Sequence, residues 1–300
     1  MKTADVFMKM KKTNFLTIAA AAALLAGAMT HCIAQSAGDP AEAARNFKPL
    51  QQWKQAVIAG DEAAFKALYS VDPPASGTQD AIVLNTESDA KFWLGFKGKN
   101  IKLDVIRFAV HPDRISIIFH ADVEGGQANG KPLTVTNAQS WIKQGDNWRI
   151  RGIERTVAPE LKQPSDMKKV LYPANVDAHA EIKEAGEKAA QEHKRLLLVF
   201  GANWCYDCHV LDLAFHSAEF TPAVAPYEVI HIDLGDDETK NADLVKQYEI
   251  PLNKGIPALA VADRDGKLIV SQKNGEFENA RDLTKKALLE FLNKWKLEAR

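Results

Sequence analysis

Gly201-Ala202-Asn203-Trp204-Cys205-Tyr206-Asp207-Cys208-His209 follows the apolar run Leu196-Leu197-Leu198-Val199-Phe200, and this junction decides how the C-terminal half is read. The run predicts a buried strand, and the segment after it opens a helix. A cysteine at a helix N-terminus lies beside unsatisfied backbone N–H groups and the positive end of the helix dipole. Both favour thiolate over thiol, so Cys205 is expected to be a nucleophile near neutral pH. Cys208 sits one turn on, within reach of a disulfide to Cys205, and the two are expected to form a reversible dithiol/disulfide couple. The alternative, a purely structural disulfide, would close too short a loop to gain much from chain entropy.

Working outward, the chain holds only three cysteines, too few for a disulfide-stapled scaffold. Its 300 residues suggest two domains, and 46% hydrophobic residues, 26% charged, 17 Gly and 13 Pro exclude disordered and fibrous classes. Lys+Arg 38 against Asp+Glu 39, a net charge of −1, leaves no electrostatic footprint for nucleic acid or an anionic membrane surface.

The third cysteine, Cys32, falls in a segment that reads as an export signal over 1–34. Lys2, Lys9, Lys11 and Lys12 form a basic start, and the apolar stretch from Phe15 to Met29 is short for a spanning helix, so no permanent membrane anchor is expected. Cleavage is expected after Ala34, with Ala28 as the alternative; the first removes Cys32 and leaves Cys205 and Cys208 alone. The compartment is then periplasmic or otherwise extracytoplasmic, where disulfide chemistry is permitted.

Strands and helices alternate past residue 176. A charged helix over 177–193 precedes the apolar strand, and a strand at 227–233, a helix near 238–248, strands at 257–262 and 267–271 and a helix from about 280 follow. That order, Trp204-Cys205-x-x-Cys208, and Gly255-Ile256-Pro257 ahead of Ala258-Leu259-Ala260-Val261 resemble the thioredoxin-like family over 177–300. The resemblance implies an α/β thioredoxin fold in which Cys205 attacks a substrate disulfide and Cys208 resolves the mixed disulfide. It also implies that Ile256 and Pro257, with a cis bond between them, bind the substrate backbone and that Trp204 belongs to the contact surface. Two departures stand out. Val199 occupies a position where many relatives keep a buried Asp, and Tyr206-Asp207 separates the cysteines in place of Gly-Pro. Asp207 could relay a proton to Cys208 or oppose thiolate formation.

Cys205-x-x-Cys208-His209 also fits c-type haem attachment, with His209 as axial ligand. The preceding strand, Trp204 and the Gly-Ile-Pro loop have no role in that reading, and a His there is unremarkable on a helix surface. One CxxC with His209 or His216 supplies too few ligands for a closed zinc site. No cofactor or metal is therefore expected.

The N-terminal half reads differently. Helical spacing over 43–70 and 88–96 precedes four strand-like segments near 100–110, 114–123, 132–143 and 147–156, which indicates an α+β domain. In the first strand the apolar phase flips between Val105 and Ile106, predicting a bulge. Trp53-x-x-Ala56-Val57, Gly60-Asp61-x-x-Ala64-Phe65-x-x-Leu68-Tyr69 and the closing Trp141 to Ile150 segment resemble the nuclear-transport-factor-2-like (NTF2-like, SnoaL-like) superfamily over 43–158. The resemblance implies a cone-shaped α+β fold that in some relatives is catalytic and in many is a binding or dimerising module. His120 and Asp122 fall on the strand face opposite Ile115, Ile117 and Phe119, so they are expected at the surface and not inside a cone.

Residues 159–176, with Pro159, Pro164 and Pro173, read as a linker. The expected whole is an exported thiol–disulfide oxidoreductase that reduces protein disulfides and is served by an upstream redox partner, with a dimer through the N-terminal domain as a further expectation. The alternative is a binding or scaffold protein whose N-terminal domain recruits a partner and whose cysteine pair is inert.

Overall fold

Proline at the start of a helix and a side-chain cap before it set the first elements of this computed structural model, which describes residues 35–36, 39–79, 82–128 and 131–297. The expected export signal, both cleavage sites and Cys32 lie outside the described residues. After a short strand β1 (Gln35–Ser36), Asp39 caps α1 (Pro40–Asn46), and α2 (Lys48–Ala59) ends at Gly60 in the left-handed conformation. Asp61 then caps α3 (Glu62–Lys66), its carboxylate accepting from Ala64 N at 2.9 Å. A hairpin of β2 (Ser76–Gln79) and β3 (Ile82–Asn85) leads into α4 (Thr86–Trp93).

Four long strands follow: β4 (Ile101–Val110), β5 (Arg114–Ala128), β6 (Lys131–Gln144) and β7 (Asn147–Val157). They form a seven-stranded sheet in the order β1-β4-β5-β6-β7-β2-β3, antiparallel except for the β2–β7 pair. Helices α1 to α4 cover one face, where Trp53, Phe65, Trp93, Phe119 and Trp141 form the core. This is the expected α+β cone. The β2–β3 hairpin was not legible beforehand, because Ser-Gly-Thr-Gln carries no apolar alternation.

The predicted bulge is present. Val105 pairs with Phe119 and Arg107 with Ile118, leaving Ile106 as the extra residue. Phe108 thereby returns to the inner core, while Ile106 joins Ile118 in a second apolar cluster on the outer face. Most of the rest of that cluster comes from the segment after β7 and the C-terminal half, including Leu161, Leu197, Val199, Tyr206 and Val210. An antiparallel sheet with one face in water is a common outcome, but Ile106 and Ile118 supply outward apolar surface that needs a cover.

The C-terminal half runs α5 (Ala178–Glu192), β8 (Arg195–Gly201), α6 (Tyr206–Phe215), α7 (Thr221–Val224), β9 (Tyr227–Asp233), α8 (Ala242–Gln247), β10 (Ala258–Ala262), β11 (Leu268–Ser271) and α9 (Lys285–Trp295). Its sheet has the order β11-β10-β8-β9; β8 and β9 are parallel, and β10 is antiparallel to both neighbours. This is the α/β thioredoxin fold. Between β7 and α5 no helix or strand forms, yet Leu161, Leu171 and Tyr172 are buried, so the segment packs as core and is no free tether.

Candidate dithiol site

β8 is buried along nearly its whole length and delivers the chain to the start of α6. Asn203 fixes the turn between them. Its Oδ1 accepts from the backbone N of Leu171 and Tyr172 at 2.8 and 2.9 Å, and its Nδ2 donates to the Tyr172 carbonyl at 2.7 Å. Cys205 is the N-cap of α6, and its Sγ accepts from Cys208 N at 3.1 Å. Cys205 and Cys208 are joined as a disulfide with Cα atoms 5.3 Å apart. Cys205 keeps 4% of its surface and Cys208 1%. That difference is too small to order the two; what distinguishes Cys205 is its capping position, where a helix N-terminus favours a thiolate.

The residues singled out with the cysteines converge on them. The Ile256 carbonyl lies 3.6 Å from Cys205 Sγ, and the Ile256–Pro257 bond is cis. Trp204 is half-buried, its Nε1 donates to the Gly235 carbonyl at 3.2 Å, and the guanidinium of Arg107 on β4 stands 5.7 Å from its ring centroid. The N-terminal half thus places a cation at the rim of the site. Burial pushes the Arg107 side chain below its usual range, with Arg114 and Arg281 adding repulsion.

Asp207 is not a free charge beside the cysteines. Its carboxylate is buried and accepts from Arg281 Nε and from the Arg281 backbone N at 3.0 and 2.8 Å, with Arg281 Nη2 closing the bidentate pair. Arg281 also faces the Tyr206 ring at 5.1 Å and reaches Glu154 on β7 at 3.1 Å. Tyr206 Oη donates its single hydrogen to Gln163 Oε1 at 2.9 Å, so His120 Nε2, 2.8 Å away, must donate to it. His120 is therefore on the outer face as expected but under cover of α6, while Asp122 stays exposed and accepts from Thr134 at 2.6 Å. His209 is likewise not on a helix surface: it is 3% exposed and its Nε2 lies 3.0 Å from the Asn203 carbonyl. Among the described residues no cluster of three or more His, Cys, Asp or Glu could hold a metal ion.

Sequence reading missed Arg281, Gln163, Arg107 and Tyr172, each of which reaches the site through the tertiary fold. Only Tyr172 left a signal, an aromatic beside Leu171 in a stretch otherwise read as linker.

Three histidines share one electrostatic bias. Burial pushes His231 down to about 4 and lowers His209 and His120 as well. For His231 burial outweighs the Asp212 carboxylate 3.9 Å away, which already pairs with Lys169 at 2.5 Å. In the unfolded chain these rings protonate near pH 6.5, so folded stability is full above that value and falls as pH drops toward about 4. His231 alone should cost about 2 kcal/mol at pH 5 relative to pH 7. Urea unfolding at the two pH values checks this, and His231→Gln should flatten the difference.

A thioredoxin-like family model matches residues 177–263. The disulphide isomerase from Xylella fastidiosa Temecula1 is 37% identical, over 42% of this chain and 97% of that one, with a TM-score of 0.40. An NTF-2-like protein of unknown function from Shewanella baltica OS155 is 12% identical over 41% of this chain and 98% of its own, TM-score 0.33. One from Silicibacter pomeroyi DSS-3 is 11% identical over 40% and 99%, TM-score 0.31. No curated protein matches. The family match supports a thiol–disulfide oxidoreductase kind of function.

Proposed function

Because the chain belongs to the thioredoxin-like family through its C-terminal half, we propose that it is an exported enzyme that reduces protein disulfides through Cys205 and Cys208. The observation that carries this reading is Cys205 at the N-cap of α6, its sulfur accepting the Cys208 N–H beside the Ile256 carbonyl and Pro257. In the reduced protein that same N–H and the helix dipole stabilise the Cys205 thiolate. The thiolate attacks one sulfur of a substrate disulfide; the substrate S–S bond breaks, a mixed disulfide forms, and the first substrate sulfur leaves as thiolate. Cys208 then loses its proton and attacks Cys205 Sγ, closing the Cys205–Cys208 bond and releasing the second substrate sulfur. Two electrons pass to the substrate and two protons end on its thiols, so an upstream dithiol donor must restore the pair.

Ile256 and Pro257 edge the sulfurs where an extended substrate backbone would lie, and Trp204 offers an aromatic rim. Export is inferred from the basic and apolar N-terminal stretch and from a compartment that tolerates disulfide exchange. The test is alkylation of Cys205 in the reduced full chain as a function of pH, alongside reduction of insulin with a dithiol donor. An apparent Cys205 pKa below the free-thiol value of about 8.5, with donor-dependent turnover, is the expected result. A value at or above that, with no turnover, would overturn the reading.

A further inference from the structure

One buried polar group left without a use by this chemistry, and the one nearest the inner sulfur's surroundings, is the Tyr172 hydroxyl. Tyr172 is 0% exposed, and its Oη has no hydrogen-bond partner among the described residues. Leaving a buried hydroxyl unpaired costs its full desolvation penalty, so its persistence calls for a partner that appears in another state of the protein. Its position is not slack: Asn203 holds the backbone of Leu171 and Tyr172 from the turn that carries Cys205, and the ring packs edge-on against His231 at 5.2 Å.

Gly201 shows where the hydroxyl points. A Cβ built there would stand 2.3 Å from Tyr172 Oη and 2.7 Å from Cys208 Sγ. The phenol and the inner sulfur thus converge on the space that this glycine leaves empty. In the disulfide, Cys208 Sγ is a poor acceptor. On reduction it becomes a buried thiol that must pass through a thiolate, a far stronger acceptor. The usual acid is absent, since Val199 occupies that strand position and is apolar and buried. Burial, with Asp212 and Asp233 as the nearest charges, pushes the phenol far above its ordinary range. It therefore stays protonated and can only donate.

We propose that Tyr172, carried in from the segment joining the two halves, donates a hydrogen bond to Cys208 Sγ in the reduced protein and so stabilises the resolving thiolate. No proton is transferred by the phenol. The Cys208 proton passes to the departing substrate sulfur as the Cys205–substrate bond breaks and the Cys205–Cys208 bond forms. Tyr172 is thus a positioning residue for that step, and its catalytic meaning rests on the proposed function. Its effect on the dithiol/disulfide equilibrium does not.

The experiment is that equilibrium, measured for the full chain and for Tyr172→Phe in dithiol redox buffers. Phenylalanine keeps the ring and its contact with His231 but removes the donor. The reduced form loses a hydrogen bond, and the disulfide form loses an unpaired hydroxyl, so both changes push the same way. The equilibrium should move about tenfold toward the disulfide, which for a two-electron couple is about 30 mV more reducing. An unchanged constant, or a shift toward the dithiol, would overturn the proposal. A second measurement needs no variant: the ultraviolet difference spectrum between reduced and oxidised wild type should carry a tyrosine band, and its absence would count equally against the proposal. A wild type that turns over no protein disulfide while Tyr172→Phe shows the shift would sink the proposed function and leave this inference standing; turnover without the shift would do the reverse.

Discussion

Cys205→Ser is expected to bring disulfide exchange down to the uncatalysed background, while Cys208→Ser should accumulate a near-stoichiometric mixed disulfide with the substrate. The two outcomes differ because the sulfurs do different things. Cys205 is the N-cap residue whose Sγ receives the Cys208 N–H, and the proposed function makes it the sulfur that ionises and attacks. Cys208 lies one turn on with its Sγ beside Gly201, and the proposed function leaves it the intramolecular attack on Cys205. Neither loss would come from unfolding. Serine is a favoured N-cap, so Cys205→Ser keeps the helix start, and the lost disulfide closes too short a loop to hold the fold together. Gel electrophoresis under non-reducing conditions with an insulin substrate would resolve all three states. Trapping by Cys205→Ser with none by Cys208→Ser would exchange the assigned roles; full activity in both would remove the cysteine pair from the mechanism.

Arg281→Met should destabilise the protein by about 3–5 kcal/mol, the range found when one partner of a buried ion pair is removed. Asp207 has no water to turn to: its carboxylate is buried, and Arg281 supplies both side-chain and backbone donors to it. The same guanidinium spans to Glu154 on β7 and to the Tyr206 ring, so the variant also loosens the seam between the two halves. The loss has an electrostatic readout as well. An uncompensated Asp207 anion beside the dithiol raises the Cys205 pKa, because a like charge disfavours the thiolate. Adding Asp207→Asn removes the stranded charge and should recover part of the stability. A double-mutant cycle by urea unfolding isolates that coupling, and simple additivity of the two variants would show that the pair is not the source of the cost.

Much of this molecule is readable locally. The apolar run Leu196 to Phe200 is a strand because it is buried on both faces, and α6 begins at Cys205 because the turn through Asn203 frees its first N–H groups. The phase flip at Val105 and Ile106 announces the bulge, since a period-two pattern cannot change face without an extra residue. The Gly60-Asp61 break between α2 and α3 is similarly local, a left-handed C-terminus followed by a capping carboxylate.

Other features of the site carry no such signature. His120 reads as a surface residue from its strand alone, and it is one until α6 of the other half lies against it. Tyr172 belongs to a stretch whose prolines argue for a connector, yet three hydrogen bonds between Asn203 and the backbone of Leu171 and Tyr172, two of them to Tyr172, hold it beside the turn that carries Cys205.

The main elements of the C-terminal half and the place of the cysteine pair at a helix start were determined by sequence alone, because each depends on periodicity, capping or spacing within one or two turns of chain. The pairing of Asp207, the environment of Cys208 and the closing of the sheet's outer face were decided only by the tertiary structure. They depend on Arg281, Tyr172 and Ile106 meeting groups far away in the chain, and distance along the chain carries no information about which buried charge or hydroxyl will find which partner.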